Sequence, residues 1–213
     1  FRRVLFRSGM SRYRVPKDTV RVEYRHSNSR FIATIGRADS MDDAKAFIQS
    51  IRDEMPDATH HVYAIKVGFG ASVTEGMSDD GEPAGTSGPP ALAVLRGADI
   101  GDAVLVITRY FGGTKLGTGG LVTAYKSAAK MAVEAVETIE KIDRVRVEFT
   151  TPYALYERIK LFLEENEALT ENENFGADVL LTVLFPEEGL AELKDYLSNL
   201  SAGQIKVEKD STS

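Results

Sequence analysis

The sequence predicts an α+β chain of two domains, with the break near residue 139 and a ferredoxin-like βαββαβ order in the second. Two observations carry this reading. Strand-like runs alternate with amphipathic helical stripes throughout, and residues 139–213 contain one complete strand, helix, two strands, helix, strand series. The charge also changes at the break: residues 10–138 carry a net −1 and residues 139–213 a net −8, against −6 for the whole chain. An acidic C-terminal third is a poor surface for a phosphate backbone, so any polyanion contact is expected in the first part.

Phe1–Gly9 reads as an appendage, an expression scar or upstream extension with three arginines ahead of Met10. Val20–Tyr24 and Arg30–Gly36 are strand-like, and His26-Ser27-Asn28-Ser29 is the turn between them. Ser40 with Asp43 three residues on signals a helix start. Met41, Ala44, Ile48, Ile51 and Met55 then form its apolar stripe, and Pro56-Asp57 ends it. His60–Val67 is a strand. Residues 68–90 hold six glycines and three prolines and read as a long functional or disordered loop. A short helical turn is expected at Ala91–Arg96 and a buried strand at Ala103–Thr108. A glycine-rich turn follows at Gly112–Gly120, then a long helix to about Thr138.

The second domain is expected to open with a strand at Lys141–Phe149. Thr151-Pro152 follows as a cap with proline at the first helical position, and Leu155, Ile159 and Phe162 as the helix face. Strands near 169–174 and 177–185, a helix carrying Leu190, Leu193, Leu197 and Leu200, and a closing strand at Gln204–Glu208 complete it. The assigned domains are residues 10–138 and 139–213.

Composition removes several classes of function. At 213 residues and 43% apolar the chain can bury ordinary cores, and it has no cysteine. Disulfides, thiol catalysis, iron–sulfur clusters and cysteine-held zinc are therefore excluded. No apolar run is long enough for a membrane helix. Without a secretory signal, the expected location is cytoplasmic.

Two segments carry candidate chemistry. In Ser78–Gly88, Asp79, Asp80 and Glu82 place three carboxylates in four positions, with Thr86 close behind. Such a group can bind a hard cation or share acid and base roles, or it can be a solvated acidic turn. The spacing is not that of a calcium loop, and no metal site is assigned. In Thr108–Gly120, a buried strand ends at Arg109, Gly112 and Gly113 turn the chain, and Lys115, Gly117 and Gly119 lead into a helix. Backbone N–H groups, a helix N-terminus and two cations suit an anion, while a glycine turn needed only for close packing reads the same way. The string is neither a P-loop nor a dinucleotide fingerprint. Tyr110-Phe111 can stack on a base or simply pack. His60 and His61 are adjacent on a strand and point to opposite faces, so they cannot share a metal. No Ser–His–Asp arrangement stands out.

These two segments, together with His60-His61-Val62-Tyr63-Ala64 and Leu121-Val122, resemble the IMPACT family in its bacterial and archaeal YigZ-type branch. The resemblance spans about His60 to Tyr125. It implies a ribosomal-protein-like β-α-β sandwich for the N-terminal domain, and for the C-terminal one a fold similar to the last domain of elongation factor G. It also implies a link to translation, since eukaryotic relatives act as translation regulators.

The first functional expectation is therefore a regulator without catalytic residues or cofactor. It would bind a ribosome, RNA or translation factor through Arg109, Gly112, Gly113, Lys115, Gly117 and Gly119, with the loop of Asp79, Asp80, Glu82 and Thr86 beside them. The alternative is an enzyme acting on a small phosphorylated or acidic compound in the same cleft. No membrane partner is expected, and no oligomeric state is assigned.

Overall fold

The computed structural model describes residues 12–70 and 72–209. The appendage expected at Phe1–Gly9 lies outside them. The chain divides into two compact units, residues 1–141 and 142–213.

The first unit is built on strands β1 (Arg12–Pro16), β2 (Val20–His26), β3 (Ser29–Arg37), β4 (His60–Val67), β5 (Thr74–Ser78) and β6 (Ala103–Tyr110). Its helices are α1 (Met41–Glu54), α2 (Gly88–Gly97) and α3 (Gly117–Ala135). Five strands form an antiparallel sheet in the order β2-β3-β6-β4-β5. Because successive strand residues face opposite sides, the sheet has two cores. Phe31, Ala33, Ile35, Val62, Ala64, Leu105 and Ile107 share one with α2 and α3. Ile32, Ile65, Val104 and Val106 share the other with Ala44, Ile48 and Ile51 of α1. The central strand β6 is thus apolar on both faces, as its unbroken run anticipates.

Local signals explain most boundaries. Ser27 and Asn28 take φ of +45° and +64°, the two left-handed central positions of a tight hairpin turn. Ser40 Oγ accepts from the Asp43 N–H at 3.0 Å and caps α1. Three expectations are corrected. Residues 74–78 are strand β5 and not loop; Thr-Glu-Gly-Met-Ser has no alternation to announce it, because an edge strand paired only to β4 stays largely exposed. The helix expected at 91–96 is α2, which starts at Gly88 with prolines in its first turn. The long helix stops at Ala135, where Val136 turns extended with ψ of 124°.

Thr138–Ile142 forms β7, paired with β1 in a separate two-stranded ribbon. The sequence reading assigns residues 139–141 to the second part, yet they remain with the first unit. Asp102, only 1% exposed, accepts from Lys141 Nζ at 2.6 Å, Tyr13 Oη at 2.7 Å and the Gly68 N–H at 2.8 Å. Burial and the bond to Asp102 push the Tyr13 phenol up to about 12. Lys141 is pulled down by burial, but its bonds to Asp102 and Asp39 outweigh that and raise it.

The second unit runs β8 (Arg144–Thr151), α4 (Tyr153–Glu165), β9 (Leu169–Phe175), β10 (Val179–Pro186), α5 (Leu190–Leu200) and β11 (Glu208–Lys209). The antiparallel sheet order β11-β8-β10-β9 is the ferredoxin-like one. Val147, Phe149, Val179, Leu181, Val183 and Phe185 pack on Ile159 and Leu163 of α4 and Leu193 and Leu197 of α5. Pro152 stands just outside α4 with an extended backbone, so Thr151 belongs to the strand and not to a cap. The closing strand keeps only residues 208–209. Ala202 and Gly203 take left-handed φ of +52° and +82°, and Ser201 Oγ holds the Ile205 N–H at 2.9 Å, so the chain is still turning before residue 206.

Each unit has its own closed core. Residues 142–213 expressed alone should therefore unfold cooperatively, and loss of a thermal transition by circular dichroism in this fragment would refute independent folding.

Candidate functional site

The loop between β5 and α2 is organised by its own acids. Asp79 Oδ1 accepts from Ser87 Oγ (2.8 Å), the Ser87 N–H (3.1 Å) and the Gly88 N–H (2.8 Å), and Oδ2 from the Gly85 N–H (2.9 Å). It thereby caps α2 from eight residues upstream, where Ser87 offers no side-chain cap. Burial raises the Asp79 carboxyl, but the Gly85, Gly88 and Ser87 donors win and hold it below its ordinary 3.8. Asp80 sits at φ +43°, with Oδ1 on Arg52 at 2.8 Å and Oδ2 on the His61 N–H at 2.7 Å. Thr86 Oγ1 donates to the Pro83 carbonyl at 2.6 Å. Asp79, Asp80 and Thr86 are thus committed to the loop and its anchorage.

Glu82 turns inward. Its side chain is 3% exposed, and Oε1 accepts from Arg109 Nη1 at 2.6 Å and Tyr125 Oη at 2.7 Å. Arg109 reaches it from the end of β6 and Tyr125 from α3. Arg109 Nη2 donates to Ser29 Oγ at 3.3 Å, and the guanidinium lies 5.5 Å from the ring centres of Phe31 and Phe111. Arg109 Nε has no partner among the described residues. Burial, then the bond to Glu82, raises the Tyr125 phenol far above its ordinary value, so it stays a donor. At the mouth, His60 Nε2 is 3.7 Å from Glu82 Oε2. His60 Nδ1 is 2.7 Å from the Asp80 carbonyl, which can only accept, so Nδ1 carries the hydrogen.

The glycine turn joins this cluster from the other side. The Gly112 N–H donates to Ser29 Oγ at 3.2 Å. A Cβ on Gly112 would stand 2.1 Å from the Asn28 carbonyl carbon, so only glycine fits there. Gly113 and Gly117 take φ of +86° and +73°, which turns the chain into α3. Gly113, Lys115, Gly117 and Gly119 are exposed, and Phe111 is 47% exposed. The α3 N-terminus has no side-chain cap and no acidic residue in its first turn.

The structure therefore brings both segments together, through Glu82 and Arg109, but divides their residues. Arg109 and Glu82 form the buried frame, with the half-buried Gly112 against Ser29 beside it. Lys115, Gly113, Gly117, Gly119 and Phe111 form the accessible face. Sequence reasoning missed Tyr125, which looks like one more member of a helix stripe, and Ser29, which looks like one more turn residue. His61 is structural, its ring Nδ1 3.0 Å from Thr108 Oγ1 and its pKa lowered by burial. Among the described residues no group of three or more His, Asp or Glu side chains is placed to hold a metal ion.

Residues 27–133 match the Impact N-terminal domain, and residues 149–204 match a domain of unknown function, DUF1949. The chain is 36% identical to IMPACT family member YigZ of Escherichia coli, covering 93% of this chain and 98% of that protein. It is 34% identical to an IMPACT family member of Haemophilus influenzae, over 93% and 97% of the two chains. A solved structure described as "Crystal structure of an hypothetical protein" aligns with TM-score 0.70 at 36% identity, covering 96% of this chain and 100% of that one.

Two stability outcomes follow from the buried frame. Arg109→Ala leaves the Glu82 carboxylate buried and unpaired, and should cost about 3–5 kcal/mol. Tyr125→Phe removes one bond to a charged acceptor and should cost about 1.5–3 kcal/mol. Chemical denaturation of both variants checks the order. For Asp79 the folded pKa lies below the unfolded one, so its stabilisation is present above the unfolded value and is lost as pH falls through the folded one. Asp79→Asn should lower stability at neutral pH by about 1 kcal/mol. It should also flatten the decline in stability expected of the native protein below about pH 4.

Proposed function

The chain belongs to the IMPACT family, and from that premise we propose that it is a translation-associated binding protein that docks on the RNA of a ribosomal particle. The observation that carries the reading is the accessible face of the glycine turn. There an uncapped helix N-terminus, an exposed lysine and an exposed phenylalanine stand on one short segment, with no carboxylate of that segment to oppose a phosphate. Helix-terminal N–H groups and Lys115 supply phosphate contacts, which position a protein without reading sequence. Phe111 supplies a ring on which an unpaired base can stack. The contrast with α2 supports the assignment, because that N-terminus is already filled by Asp79.

In this arrangement the acidic loop acts indirectly. Glu82 holds Arg109, and Arg109 lies beneath the Phe111 ring, so the loop sets the shape of the face without touching the ligand. The translation link itself comes from the family resemblance.

A second reading, an enzyme for a small phosphorylated or acidic compound, draws on one observation. His60 is 19% exposed and its Nε2 faces Glu82 at 3.7 Å, an acid–base pair at the edge of the same cluster.

Co-sedimentation with ribosomes at low and high salt tests the first reading. Binding should be present at low salt, weaken steeply as salt rises, and fall at least tenfold in Lys115→Glu. An exposed charge change shifts stability by only about ±0.5 kcal/mol, so the melting temperature should not move. Absence from ribosomal and RNA fractions at low salt would overturn the proposal.

A further inference from the structure

The site above uses one end of β4; at the other end the strand buries a lysine. Lys66 is 6% exposed, and its Nζ donates to the Ala98 carbonyl at 3.1 Å. Ala98 closes the C-terminus of α2, where a cation is favourable, but one N–H satisfies that role and a surface lysine would serve. An ammonium has three N–H donors. Among the described residues the other two have no protein acceptor.

What those donors face is a cavity of about 420 Å³. Lys66, Phe69, Val73, Glu75, Arg96 and Asp99 line it. The Phe69 ring centre is 5.2 Å from Nζ. Glu75 is engaged by Arg96 at 2.6 Å, so it does not neutralise the lysine directly. Burial pulls the Lys66 amine below its ordinary 10.5, against the opposing influence of Glu75 and Asp99. The two further N–H donors border this cavity, where an acceptor from outside the chain can complete their bonds.

We propose that this cavity binds a small monocarboxylic acid, its carboxylate accepting from Lys66 Nζ and its apolar part lying against Phe69 and Val73. The charge of the lining selects the class. Two cations and two carboxylates line it, and Arg96 is already engaged by Glu75, so only the single charge of Lys66 is available to an anion and a dianion would stay half uncompensated. The aromatic and branched walls favour a ring or short chain behind the carboxylate. This site is independent of the glycine turn, and its ligand is not a nucleic acid.

The full chain titrated with sodium benzoate, followed by calorimetry and by the melting temperature, tests the proposal, with inorganic phosphate as the comparison. Benzoate should bind saturably at one site. Lys66→Met, which keeps the apolar stem, should still fold cooperatively and weaken benzoate at least tenfold. Lys115→Glu should leave benzoate binding unchanged, which separates this result from that of the ribosome experiment. Benzoate should also slow acetylation of Lys66 in the unaltered protein, read by peptide mass spectrometry, a measurement that needs no variant to fold. Absence of saturable benzoate binding, undiminished binding in folded Lys66→Met, no protection of Lys66, or phosphate binding that depends on Lys66 would each overturn it. A fall in the melting temperature of Lys66→Met with benzoate binding intact would reduce Lys66 to the C-terminal cation of α2.

Discussion

Removing the Glu82 carboxylate and the Arg109 guanidinium from water costs several kcal/mol per ion before any bond forms, and the N-terminal domain is arranged around offsetting that cost. Their 2.6 Å contact is only part of the compensation. Tyr125 donates a second bond to the same carboxylate oxygen, Ser29 receives Arg109 Nη2, and two aromatic rings lie against the guanidinium. The hydrogen-bonded members come from four different places: the loop before α2, the end of β6, α3 and the start of β3. The pair therefore fixes the mutual positions of the elements that border the glycine turn.

That constraint explains why the two polar segments differ in kind although they meet. The acidic loop spends its carboxylates internally, Asp79 on the α2 amides, Asp80 on Arg52 and the His61 N–H, and Glu82 on the ion pair. The glycine turn keeps its exposed groups unspent. Gly112 must press against the Asn28 backbone and Leu116 packs on the core, which leaves Gly113, Thr114, Lys115 and Gly117 to Gly119 exposed at the open end of α3. A rigid, buried frame beneath an accessible, cation-bearing rim is a sound basis for recognition, because the rim's geometry is set before a ligand arrives.

The strand β4 links this face to the Lys66 cavity but gives its two ends opposite characters. At His60 the strand meets the Glu82–Arg109 charge cluster, while at Lys66 it buries a cation that has one hydrogen bond to the chain. The cavity beside the second is where an acceptor from outside the chain can reach the lysine.

Much of the architecture was legible in the sequence because it rests on local rules. The Ser40 cap, the Met41 to Met55 stripe, the unbroken apolar run of β6 and the βαββαβ series all follow from periodicity and capping, and the absence of cysteine removed whole chemistries outright. The two candidate segments were also visible as the places where glycine and charge crowd together. The position of Arg109 directly after a buried strand also marks it, and not Lys115, as the cation to pair with the acidic loop. Which of Asp79, Asp80 and Glu82 receives it, from a loop 27 residues earlier, only the fold decides. Strand β5, the ribbon of β1 with β7, the buried states of Lys66 and Asp102, and the partner of the Tyr125 hydroxyl were hidden for the same reason. Each depends on a partner distant in the chain, and burial of a polar group is decided by which partner the fold delivers to it.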